Sequence, residues 1–171
     1  IGEMSRTRAA RVDALMRGRG RVLEVGCGRG SLLHQLAQLG HECYGIERSE
    51  LAARRAAQIE GLHVYTKPLE ECHFSEQHFD AVLLWHVLEH LDHPQKTLAL
   101  ISQQLRTGGL LYLEVPNFSS LQSQLTEGNW FHLDLQHHLF HFSTEGLTQL
   151  LLSSGFRIEK ITTFSLEQGP Y

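Results

Sequence analysis

One stretch of the chain, Val22-Leu-Glu-Val-Gly-Cys-Gly-Arg-Gly-Ser31, limits its fold more than any other. Residues 21–25 predict a short buried strand. Immediately after the glycines, Leu32, Leu33, Leu36, Ala37 and Leu39 place apolar side chains at helical spacing, with Ser31 as the expected N-cap and Gly40 as the close. A strand joined this tightly to a helix opens a parallel βαβ unit. Gly26, Gly28 and Gly30 lie in the turn, where the lack of a Cβ lets backbone come close to a ligand. The same turn aims the first amides of the helix at negative charge.

The remaining chain repeats this alternation. Ala9, Val12, Leu15 and Met16 predict a leading helix over 4–17. Further strands are expected at 41–46, 62–65, 79–85, 110–115 and 156–164, with helices at 49–58, 94–105 and 143–154 between them. Residues 79–85 form a near-continuous apolar run, as a central strand covered on both faces requires. Pro94 suits a first helical turn, and Gly108-Gly109 is expected to break the helix that follows it. Six strands with intervening helices predict a doubly wound, Rossmann-like α/β fold, mostly parallel, in three α/β/α layers. Ligands in such sheets lie beyond the carboxyl ends of the strands, where the winding reverses.

Length and charge narrow the function classes. At 171 residues the chain suits a single domain with one core, with 1–20 as a leading helix and 117–142 as an acceptor-side insertion. A net charge of -4 argues against a nucleic-acid partner, although Arg6, Arg8, Arg11, Arg17, Arg19 and Arg21 cluster near the start. No apolar run approaches the roughly 20 residues of a membrane-spanning helix. Three widely spaced cysteines, Cys27, Cys43 and Cys72, suit reduced thiols and a cytoplasmic setting. The expected assembly is a monomer or homodimer.

The acid that follows the loop separates cofactor classes. Glu47 ends the second strand about 20 residues on, where a carboxylate can accept hydrogen bonds from two ribose hydroxyls. A nicotinamide fingerprint would place its third glycine at Ser31; here the spacing is Gly-x-Gly-x-Gly, with Glu24 before it. Glu24-Val-Gly-Cys-Gly-Arg-Gly30 thereby resembles the first motif of class I S-adenosylmethionine-dependent methyltransferases. The resemblance extends further. Phe79-Asp-Ala-Val-Leu-Leu-Trp-His-Val-Leu-Glu-His-Leu91 and Leu105-Arg-Thr-Gly-Gly-Leu-Leu-Tyr-Leu-Glu-Val-Pro-Asn117 are similar to the fourth- and fifth-strand motifs of one subgroup of that family. Residues 131–142, followed by Ser-Thr-Glu-Gly-Leu, resemble its next segment.

The resemblance implies a small-molecule acceptor, S-adenosylmethionine as methyl donor and S-adenosylhomocysteine as product. It implies that Glu24, Gly26, Cys27, Gly28 and Gly30 line the methionine end and that Glu47, with Arg48 beside it, holds the ribose. Leu69 and Glu70 would lie near the adenine, and Leu84, Trp85 and His86 near the sulfonium. Relatives place an Asp after the third strand, whereas this chain has Lys67-Pro-Leu-Glu70. Members of the family usually carry a seventh strand, which has no counterpart before Tyr171.

Seven of the twelve histidines fall within 86–93 and 132–141, both expected at the active-site edge. An oxygen or nitrogen acceptor benefits from a base of near-neutral pKa. His86 is the candidate facing the transferred methyl, with His138 as a second catalytic candidate; His90, Asn117 and His141 are candidate acceptor contacts. His86-x-x-Glu89-His90 with His138 offers ligand types suited to a divalent ion. It resembles the Glu-x-x-Glu-His metal motif of small-RNA 2′-O-methyltransferases and ubiquinone-pathway O-methyltransferases, with His86 in place of the first Glu. That replacement weakens the match, and no metal is assigned. The expected activity is methyl transfer to a small molecule, O-methylation favoured. The competing readings are an NAD(P)-dependent oxidoreductase and a non-catalytic module that keeps the cofactor fold.

Overall fold

A computed structural model describes residues 2–163. Five parallel strands form one sheet: β1 (Arg21–Val25), β2 (Glu42–Ile46), β3 (Leu62–Tyr65), β4 (Phe79–Trp85) and β5 (Leu105–Glu114), in the order β3-β2-β1-β4-β5. The helices are α1 (Gly2–Leu15), α2 (Ser31–Gln38), α3 (Glu50–Ala56), α4 (Pro94–Gln104), α5 (Leu121–Thr126) and α6 (Thr144–Ser153). The winding runs outward from β1 through β2 to β3, then restarts on the other side of β1 with β4. The gap between the carboxyl ends of β1 and β4 is therefore the switch point where such sheets take ligands.

Alternation along β4 divides the core between the two sheet faces. Val82 and Leu84 pack with Leu23, Val25, Leu98 and Ile101 on the α4 side. Ala81, Leu83 and Trp85 pack with Ala9, Val12, Leu32, Leu33 and Leu36 under α1 and α2. Apolar burial on both faces gives the three-layer α/β/α arrangement.

Three local expectations are corrected. The N-cap of α2 is Gly30, at φ 75°, and Ser31 is already helical; no side chain caps this end, which leaves the first amides free. Ser49 and Ser143 do cap α3 and α6 through their hydroxyls. Gly108-Gly109 does not end a helix. α4 stops at Gln104, and β5 begins at Leu105, opposite Phe79. The glycines sit in the strand at a register shift, where β4 advances two positions (Phe79 to Ala81) and β5 five (Leu105 to Leu110), and extra residues are absorbed most cheaply without side chains.

The sixth strand expected at 156–164 is absent over its described part: residues 156–163 form no ladder, and Phe164 lies outside the described residues. Apolar residues at strand-like spacing make a strand only when a neighbouring edge takes their backbone bonds. Here a groove of about 1490 Å³ separates them from β5, lined by Leu111 and Leu113 on one side and Ile158 and Ile161 on the other. No described helix is long and apolar enough to cross a membrane.

Candidate active site

At the end of β1 the chain turns through Gly26 and Gly28, at φ 75° and 56°. The amides of Gly26 and Cys27 both donate to the Ile46 carbonyl, at 2.8 and 3.0 Å, which ties the loop to the end of β2. A Cβ on Gly26 would stand 2.6 Å from Val87, so only glycine fits. A Cβ on Gly28 would meet nothing within 4 Å, so this side of the loop opens onto free space. Two acids border it. Glu47 accepts from the Gly28 amide at 2.8 Å through one oxygen and from the Ser49 amide at 2.7 Å through the other. Glu24 is 5% exposed and leaves Oε2 without a hydrogen-bond partner. Burial pushes its carboxyl up to about 8, against the pull of Arg8 and with a smaller push from Glu47.

Across the switch point, His86 follows the last residue of β4, and its φ of 53° is costly for a residue with a Cβ. The backbone is held there: the His86 amide donates to the Glu114 carbonyl at 2.9 Å. Its ring lies between two carboxylates, Nε2 at 3.0 Å from Glu114 and Nδ1 at 3.4 Å from Glu89. Bonds to Glu114 and then Glu89 raise the imidazole to about 9, so it keeps its proton at neutral pH. Burial works against ionisation of Glu114, but His86 and Arg8 outweigh it and hold its carboxyl below the usual range. Arg8, reaching over from α1, donates to Glu114 at 2.8 Å and lies 4.3 Å above the Trp85 ring.

The segment 117–142 closes over this end. The amides of Leu139 and Phe140 donate to the Glu89 carbonyl at 2.8 and 3.1 Å, and His86 stacks on His132 with ring centres 6.3 Å apart. These bonds assemble Glu89, His90 and His138, whose potential ligand atoms lie within 4.8 Å of one another. Glu89 is 1% exposed; the protonated His86 ring stands 3.4 Å from its Oε1, and Oε2 has no hydrogen-bond partner. Both histidines commit Nδ1–H to a carbonyl, His90 to that of His137 at 2.9 Å and His138 to that of His132 at 3.0 Å. A carbonyl only accepts, so each ring carries its proton on Nδ1 and keeps the Nε2 lone pair. A buried carboxylate with one oxygen unpartnered beside two imidazole nitrogens offers a cation three ligand atoms, while the charge of His86 at the other oxygen works against it.

The methyltransferase-domain family matches residues 3–161. The chain belongs to the class I S-adenosylmethionine-dependent methyltransferases. It is 33% identical over 107 residues to a ubiquinone biosynthesis O-methyltransferase of Azoarcus sp. (strain BH72), an alignment covering 57% of this chain and 44% of that protein. With the Ruegeria sp. (strain TM1040) protein of the same name it shares 36% over 96 residues, 53% of this chain and 38% of the other. The chain thus spans less than half the length of these curated relatives. Among solved structures it resembles a SAM-dependent methyltransferase from Archaeoglobus fulgidus, with a TM-score of 0.76, 26% identity, and 92% and 70% of the two chains covered. A Mesorhizobium loti structure, at TM-score 0.72 and 19% identity over 94% and 84% of the chains, shares the fold.

In this methyltransferase domain the structure brings Glu24, Gly26, Cys27, Gly28, Gly30 and Glu47 to one loop cluster, although Gly30 packs against Ala56, Ile59 and Leu62. Arg48 is exposed beside that cluster. Leu84 is fully enclosed and presents no surface to a cofactor, because its place in the strand turns it into the α4-side core. Leu69 is likewise in the core, and Glu70 accepts from the Thr97 hydroxyl at 3.1 Å. Trp85 lies beneath Arg8 and against Tyr112. Asn117 spends its side-chain oxygen on Ser119, at 3.0 Å from the amide and 2.8 Å from the hydroxyl. His141 is 5.9 Å from His138 between ring centres, with a buried Nε2 that has no partner.

Four residues of the site escaped sequence reasoning. Arg8 is one of six arginines near the start, and nothing local singles out the one that reaches Glu114. Glu114 was legible in principle, as an acid ending an otherwise apolar run. Trp130 and His132 line the groove with His86, Glu114 and Asn117, but aromatic content alone does not distinguish lining from core.

Proposed function

We propose that this domain transfers a methyl group from S-adenosylmethionine to a small-molecule acceptor, with an oxygen as the favoured atom. The observation that carries the reading is the open space beside Gly28, flanked by Glu24 and Glu47 at the switch point. A zwitterionic amino-acid end suits this cradle better than a diphosphate would, since two acids border it. Glu47, already aligned by the Gly28 and Ser49 amides, has lone pairs left for ribose hydroxyls. Glu47 carries the negative charge of this end, Glu24, with its carboxyl pushed up to about 8, offers its unpartnered Oε2 as an acceptor for the ammonium, and Arg8 is the cation within reach of the same end.

Bound there, the cofactor supplies a methyl on a sulfonium, displaced in line by the acceptor. The acceleration the chain itself supplies is largely positioning. His86 is assigned as a positioning residue and not as a base: both its nitrogens face carboxylates, and it ties the ends of β4 and β5 to the turn at Glu89. His138, whose Nδ1 is committed to the His132 carbonyl and whose ring lies in the cluster with Glu89 and His90, is the freer of the two catalytic candidates. His90 and His141 border the acceptor side. The O-methyltransferase names of the curated relatives favour oxygen over nitrogen.

A second feature belongs to this reading. Glu89, His90 and His138 would hold a divalent cation, which when bound would polarise an acceptor hydroxyl and favour its deprotonated form. The test is a screen of small-molecule hydroxyl and amine acceptors with labelled donor, read by product mass. Methyl on oxygen supports the proposal. Methyl only on nitrogen, or no transfer from a domain that binds S-adenosylhomocysteine, overturns it.

A further inference from the structure

We infer that the cavity between the starts of α4 and α6 is a second binding site, for a free aromatic amino acid with a polar ring tip, tyrosine foremost. The cavity encloses about 660 Å³ and is bordered on one side by the covering segment. It is separate from the groove that holds His86 and His132; only Phe142 and Ser143 line both. Sites for small molecules are of this size, mostly apolar, with a few fixed polar groups. The apolar wall is Phe118, Phe140, Phe142 and Leu150. Phe140 and Phe142 stack with ring centres 6.0 Å apart, and Phe118 and Phe140 stay exposed although both are large. An aromatic ring among them gains edge and offset contacts and removes their apolar surface from water.

The polar wall fixes the rest of the ligand. Asp92 and Lys96 both line the cavity, both are exposed, and neither enters an ion pair among the described residues. One charge of each sign fits a zwitterion, its ammonium at Asp92 and its carboxylate at Lys96. A plain amine or a plain acid leaves one of the two unanswered, and a phosphate brings extra negative charge towards Asp92. α4 favours the carboxylate at the same place. No side chain caps this helix, Pro94 has no N–H, and the amides of Gln95 and Lys96 precede the first helical bond, from Thr97 to His93 at 3.1 Å. α6 differs, because Ser143 accepts from its Gly146 amide at 3.0 Å. The third polar group is His141, which lines the cavity with a buried Nε2 that has no partner. Such an atom is costly until a ligand meets it. A phenol hydroxyl both donates and accepts, so it satisfies Nε2 in either tautomer.

The test titrates the full chain with L-tyrosine, L-phenylalanine, tyramine and 3-(4-hydroxyphenyl)propionate, read by ligand-observed NMR. Expected is one tyrosine per chain, bound about fivefold tighter than each of the other three and not displaced by S-adenosylhomocysteine. Lys96→Gln should remove the advantage of tyrosine over tyramine, and Asp92→Asn its advantage over the propionate. Both substitutions are at exposed positions, and thermal melting checks that each variant folds as the parent does. No tyrosine bound to the folded parent overturns the inference, as does tyrosine held no tighter than tyramine and the propionate. Displacement by S-adenosylhomocysteine, or an advantage that survives in both variants, places the ligand elsewhere and overturns it as well. Tyrosine binding is measured without cofactor, so a domain that fails to bind S-adenosylhomocysteine sinks the methyl-transfer reading and leaves this one to its own result.

Discussion

Glu24 ends its side chain where water hardly reaches, between the pull of Arg8 and the push of Glu47, and its carboxyl titrates near 8 where an exposed one titrates near 4.5. The native state thus holds this proton more tightly than the unfolded chain between those two pH values. Stability falls as the pH rises from about 4.5 to about 8, by up to something on the order of 4 kcal/mol from this group. Glu24→Gln carries no such charge. Urea unfolding should show the variant with a flatter pH profile and greater stability than the parent at pH 8.5; equal slopes would contradict the assignment. Arg8 acts at the same scale. It links Glu114, the Trp85 face and the field at Glu24, so Arg8→Ala should weaken S-adenosylhomocysteine binding about tenfold while costing about 1–2 kcal/mol of stability. Calorimetry and thermal melting read the two effects separately; a loss of stability without a loss of affinity would make Arg8 only a structural tie.

At the level of elements, α1 is fastened by a clasp remote from the site. His41 is buried, receives the Gly20 amide on Nδ1 at 3.2 Å and donates from Nε2 to Asp13 at 3.0 Å. The amide is a donor, so Nδ1 must stay unprotonated and the tautomer is decided. His41→Ala would leave a backbone N–H without its partner and open a cavity, for a cost of about 2–4 kcal/mol in urea unfolding. The same elements show how far a linear pattern can be read. β1 and β4 were legible because burial on both faces demands unbroken apolar runs with sharp ends, and their boundaries agree with the sequence reading. β5 was not, because glycines that would break a helix are compatible with a bulge, and only the register against β4 decides which. Residues 156–163 have strand-like composition, but a strand is a property of two edges, and composition reports on one.

For the whole molecule, the switch point between β1 and β4 gathers parts that are far apart in the chain. The loop cluster around Glu24, Gly28 and Glu47 was readable because spacing from a single strand–turn–helix unit sets it. The opposite wall was only partly readable. The histidine-rich segments could be placed at the active-site edge, but the partners of each ring depend on where 132–140 folds back onto Glu89. That folding makes His86 a bridge between two acids and leaves His90 and His138 with free Nε2 atoms, a division of labour no spacing rule supplies. The account as a whole stands on the cradle beside Gly28. Calorimetric titration of S-adenosylhomocysteine and of NAD into the wild-type domain and Glu47→Ala tests it most directly. The account predicts one equivalent of S-adenosylhomocysteine bound to the wild type, at least tenfold weaker binding in the variant, and no binding of NAD. Binding of NAD alone, or S-adenosylhomocysteine affinity indifferent to Glu47, would contradict it.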